Sequence, residues 1–110
     1  MRYKILDNSE NSIIEISPDS LSFRNIEKIK KILNKYSNCR IVFDFEKIKN
    51  IEPEFVKFAK NFKVALFNVK EEILQYFYIT NSLNYVHVYQ NREDLILDKR
   101  RYVRRDFHLI

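Results

Sequence analysis

The chain has 110 residues, a formal net charge of +5, a single cysteine and no glycine. That length is one domain, and an apolar fraction of 45% supplies one buried core, which excludes wholesale disorder. The lack of glycine excludes phosphate-cradling loops and the dinucleotide fingerprint, and the lone Cys39 excludes an internal disulfide and a multi-cysteine zinc site.

Met1 to Leu6 alternates Met1, Tyr3 and Ile5 against Arg2 and Lys4, the period of a strand. The polar cluster Asp7-Asn8-Ser9-Glu10-Asn11 turns the chain, and Ile13 to Ile16 supplies a second strand, so a hairpin is predicted. Ile26, Ile29, Ile32, Leu33 and Tyr36 recur at helical spacing. They predict a helix over 25–36, capped by Ser22 or Asn25, with its lysines on a solvated face. Cys39 to Phe45 is apolar apart from Arg40 and Asp44, as befits a central strand. A polar link with Ile48 inside it follows.

Pro53 suits the first turn of a second helix, with Glu52 and Glu54 at its positive end. Phe55, Phe58, Ala59 and Phe62 form its apolar stripe. Val64 to Phe67 is a short buried strand. Asn68, with Glu71 three residues on, reads as a capping box for a helix whose inner face is Val69, Ile73, Tyr76 and Phe77. Asn81 and Ser82 end it. Tyr85 to Tyr89 is the last strand, and Asn91 caps a last helix through Leu95 and Ile96. The order β-β-α-β-α-β-α-β-α predicts an α/β fold, a mixed and mostly parallel sheet of about five strands packed with about four helices. Residues 1–98 make up this domain, and 99–110 form a basic extension, either a helix end or a tail.

Motifs that carry chemistry are scarce. His87, in a strand, and His108, near the end, lie beside no carboxylate or cysteine at ligand spacing, so neither metal nor other cofactor is expected. Cys39 reads as a small buried hydrophobe. Asp44, Glu46, Glu52 and Glu54 contain pairs of carboxylates, but general acid–base work needs a pocket and separated pKa values. The simpler reading is a complement to a helix start plus a solvated loop, and no enzyme is expected. No apolar run reaches the roughly 18 residues of a membrane span. The opening MRYKILDNSENS lacks the apolar region of a signal peptide, so a soluble cytoplasmic protein is expected. Most of the net positive charge falls in the tail, where Lys99, Arg100, Arg101, Arg104 and Arg105 stand against one carboxylate, Asp106. Interleaved with Tyr102 and Phe107, these cations suit nucleic-acid phosphates or an anionic membrane surface, or simply complement a helix end.

The ordered set of patterns resembles the STAS domain, the fold of bacterial anti-sigma factor antagonists. NSIIEISPDSLSFRNIEKIKKIL resembles that family's strand, loop and first helix, with Leu21, Phe23, Asn25, Ile29 and Leu33 where the pattern wants them. IVFDFEKIKNIEPEFVKFA resembles its central strand, loop and second helix. KVALFNVKEEILQYFYITNSLNYVHVYQNREDLI resembles its closing strand, helix, strand and final helix, so the likeness covers residues 12–97. Members commonly follow the central strand with Asp-Ser-Ser/Thr-Gly. Here Glu52, Pro53, Glu54 and Phe55 stand in those places, with Glu54 at the phosphoacceptor, and Ser22 stands where antagonists often carry Asp.

The resemblance implies a non-enzymatic protein-interaction module that phosphorylation at the usual site does not switch. Its partner surface would hold Glu52, Pro53, Glu54, Phe55, Ser22 and Asn25, within the stretches 19–25 and 52–58. The implied partner is an anti-sigma kinase-like regulator, or the ABC transporter of a lipid-trafficking system with this chain as accessory subunit. A homodimer through an exposed apolar patch is a further option. Glu54 brings one negative charge where a phosphoserine brings about −1.5 to −2, so it imitates the phosphorylated state only in part. The alternative function is nucleic-acid or anionic-surface binding through Lys99, Arg100, Arg101, Arg104 and Arg105.

Overall fold

Period-2 and period-3.6 apolar patterns alternate along the chain, and each becomes the element its period favours. The computed structural model describes residues 2–7, 12–36 and 39–97. Their order is β1 (Arg2–Asp7), β2 (Ser12–Ser17), α1 (Phe23–Lys35), β3 (Arg40–Asp44), α2 (Pro53–Phe62), β4 (Val64–Phe67), α3 (Glu71–Ile79), β5 (Val86–Val88) and α4 (Arg92–Ile96). The fold is α/β, with the five strands in one sheet in the order β1-β2-β3-β4-β5. β1 pairs antiparallel with β2, and the other neighbours are parallel. A parallel pair needs a crossover, and α1, α2 and α3 supply the three.

Strand alternation gives the sheet two different faces. Ile14, Ile16, Ile41, Phe43, Leu66 and Val88 look toward α1, α2 and α3 and form the main core. Its centre is aromatic. Phe55 from α2 stands edge-on to Phe43 at 5.5 Å and to Phe45 at 5.4 Å. The opposite face carries a smaller cluster of Val42, Ala65, Phe67 and Tyr89 under Leu95 of α4. β3 is thus covered on both sides at its middle, which is why its sequence is nearly all apolar.

Several expectations meet corrections. Asn68 does not cap α3. It lies at φ 58°, and the helix starts at Glu71 with Lys70 in the capping position. Asparagine tolerates the left-handed region, and the reversal there sends Val69 into the core before the helix begins. Between the two candidate caps of α1 the structure selects Ser22, and Asn25 lies inside the helix. Tyr85 lies outside β5, although its carbonyl still accepts from the Val64 N–H at 3.3 Å. Phe62 stacks on Phe58 at 4.6 Å yet stays partly exposed at the end of α2. Of the expected turn at 7–11, Asp7 instead closes β1, and 8–11, like the basic segment with Lys99, Arg100, Arg101, Arg104 and Arg105, lie outside the described residues. Among the described residues, no helix is long and apolar enough to cross a membrane.

Candidate functional site

Two loops meet where the parallel strands end. The β2–α1 loop is anchored by Leu21 and the β3–α2 loop by Ile48, both buried in the core. A lone apolar residue in a polar loop serves as such an anchor because its burial fixes the backbone on either side. The polar residues between the anchors are left facing each other. Asp19, Ser20, Leu21, Lys47, Lys49, Asn50 and Glu52 line a cleft of about 460 Å³. An ion pair of 3.8 Å between Lys47 Nζ and Asp19 Oδ1 crosses it.

Local hydrogen bonds hold each wall. The Ser22 hydroxyl accepts from the Asn25 N–H at 3.3 Å and caps α1. The Asn25 side-chain amide donates to the Ser20 carbonyl at 2.9 Å and to the Ser20 hydroxyl at 3.0 Å. On the other wall, Glu52 takes the capping position of α2 without a side-chain bond, and Pro53 opens the first turn. Behind the cleft, Asp44 at the end of β3 ties two crossovers together. Its Oδ1 accepts from the Glu46 N–H and from the Asn68 amide, both at 3.0 Å.

Beside the cleft runs a groove of about 210 Å³ between α1 and α2. Glu54 and Lys57 line it from α2, and Phe23, Glu27 and Lys30 from α1. Phe23 is 63% exposed, a large aromatic ring in solvent next to a carboxylate at a helix start. The surface is therefore mixed in charge, apolar at one point and open, a geometry suited to contact with another macromolecule.

Of the six residues expected here, Ser22, Asn25, Glu52, Pro53 and Glu54 lie on this end of the molecule. Phe55 does not serve the surface. It is fully buried among the core phenylalanines, because it is the first residue of the apolar stripe of α2, which points inward. Lys47, Lys49 and Asn50 were not foreseen as lining residues. The signal that identifies them is the buried Ile48 in their midst.

A second polar cluster lies on the opposite face of the sheet. Glu15 of β2 is only 4% exposed. Arg92 donates to its two oxygens at 3.0 Å and 2.9 Å, and Lys4 approaches at 3.3 Å. The Arg92 guanidinium also sits 5.4 Å above the Phe67 ring. Its pKa is raised, first by the hydrogen bonds to Glu15 and then by that carboxylate's charge. Among the described residues, no group of three or more His, Cys, Asp or Glu side chains is placed to hold a metal ion. No protein-family profile matches the chain, and no curated protein matches it.

Proposed function

We propose that this chain is a STAS-like protein-interaction module without enzymatic activity, working in the cytoplasm and binding a regulatory kinase-like protein or an ABC transporter subunit. What carries the reading is the exposed Phe23 beside Glu54, flanked by the cleft between the β2–α1 and β3–α2 loops. Exposed aromatic anchors bordered by charged groups supply much of the energy in protein interfaces. Glu54 acts as a fixed charge in the first turn of α2, which the helix dipole favours. A fixed carboxylate cannot be removed by a phosphatase, so the surface stays in one state.

The test is capture of protein partners by the tagged full chain from its own host's lysate, with membranes included and salt varied. A protein retained at high salt, and weakened about 30-fold or more by Phe23→Ala, supports the proposal. Recovery of nucleic acid alone, shed as salt rises, overturns it. Glu54→Ala separates the two roles of that residue. Unchanged partner affinity would leave Glu54 as a helix complement only.

A further inference from the structure

Strands β2 to β5 run parallel, so each connecting helix ends where the next strand begins. One pole of the molecule therefore collects the C-terminal ends of α1, α2 and α3. Helix α4 joins them there. It begins at Arg92, beside Glu15 and Phe67, and ends with Leu95 and Ile96 over Arg40, Lys63 and Val64.

This pole has two features that do not follow from folding alone. It exposes large aliphatic side chains: Ile79 is 77%, Ile96 71% and Leu97 61% exposed, and Phe62 is also partly open. It is also cationic. Lys35 and Lys60 lie in the last turns of α1 and α2, Lys63 follows α2, and Arg40 starts β3. Among the described residues, the topology brings Asp7, at the end of β1, to the same end. Asp19, Asp44, Glu52 and Glu54 lie at the other pole, on the loops and helix starts described above. Arg40 and Lys63 line a cleft of about 450 Å³ with Ala65, His87, Leu95 and Ile96, a lining without a carboxylate. Arg40 donates to the neutral Tyr89 hydroxyl at 3.3 Å.

Helix dipoles favour cations at helix ends, which accounts for part of the charge. They give no reason for three exposed aliphatic residues at the same end of the molecule. Exposed apolar side chains near lysine and arginine, as Ile96 is to Arg40 and Lys63 in one cleft, suit a surface that lies on an anionic bilayer, the first entering the acyl boundary and the second meeting the headgroups. Single-stranded nucleic acid would be served by several aromatic stacking platforms, whereas here Phe62 is already stacked on Phe58 and Ile79, Ile96 and Leu97 are aliphatic. The described chain ends at this pole with Leu97.

We propose that this pole is a peripheral membrane-binding surface, in which Ile79, Ile96 and Leu97 enter an anionic lipid bilayer while Arg40 and Lys63 meet its phosphate headgroups. The surface lies at the end of the sheet opposite the proposed protein-binding site.

The test is co-sedimentation of the full chain with vesicles of phosphatidylcholine alone and of phosphatidylcholine mixed with phosphatidylglycerol. Binding is expected to the mixed vesicles and to weaken as salt rises. The double substitution Ile96→Ser with Leu97→Ser, and separately Ile79→Ser, remove exposed side chains and leave the core intact, which circular dichroism checks. The double variant is expected to lose about tenfold or more in vesicle affinity, and Lys63→Glu about tenfold. Absence of binding to the mixed vesicles overturns the proposal. So does full vesicle binding by the serine variants, or binding to a single-stranded oligonucleotide in preference to the mixed vesicles.

Discussion

Glu15 is a carboxylate within the run Ile13-Ile14-Glu15-Ile16, a position where burial would be costly without a partner. The partner is Arg92, 77 residues away, whose forked guanidinium meets both carboxylate oxygens. Arg92→Ala would leave Glu15 with Lys4 alone, and Lys4 is half exposed. Removing one member of a fully buried pair costs about 3–5 kcal/mol. Arg92 is itself half exposed, so solvent screening lowers the expected loss to about 1–2 kcal/mol, measured by urea denaturation. The pH dependence has a definite sign. The pKa of Arg92 is raised, so its contribution is complete below the ordinary value and is lost only as pH rises through the raised one, in strong alkali. Denaturation curves across the neutral range should therefore show no loss attributable to Arg92.

Helix α2 shows how one element serves both core and surface. Its phenylalanines look alike in the sequence, but position along the helix separates them. Phe55 is enclosed by Phe43, Phe45 and Phe77, whereas Phe62 has one stacked neighbour, Phe58, and solvent beyond. Phe55→Ala is expected to cost about 3–5 kcal/mol, and Phe62→Ala about 1 kcal/mol. Equal losses for the two in urea titrations would contradict this division of the helix. The start of α2 was legible because Pro53 and Glu54 are residues a first turn favours. The start of α3 was not, because Asn68 has the right chemistry for a cap but spends its side chain on Asp44, 24 residues back.

At the scale of the whole molecule, the parallel sheet separates the two proposed surfaces. Its connections put Asp44, Glu52 and Glu54 at the strand ends and Arg40 and Lys63 at the strand starts, with the two proposed surfaces at opposite poles. Sites that share no contacts act independently. Phe23→Ala should therefore change affinity for phosphatidylglycerol vesicles by less than about twofold, and the Ile96→Ser with Leu97→Ser variant should keep its protein partner. Measuring both variants in both assays checks this. Cross-effects of tenfold would place the two activities on one surface.

The sequence by itself determined the class of fold, the order of elements and most of the core, because those depend on local periods of two and 3.6 residues and on caps such as Ser22 and Asn91. It also determined what the chain lacks, since a glycine loop or a cysteine cluster has to be written in residues. Tertiary structure alone decided which polar side chains meet. The pairing of Glu15 with Arg92, the bond from Asn68 to Asp44 and the cleft between Asp19 and Lys47 join residues far apart in the chain. Period and capping act over a few residues, whereas these contacts depend on strand order and on which way each helix returns to the sheet.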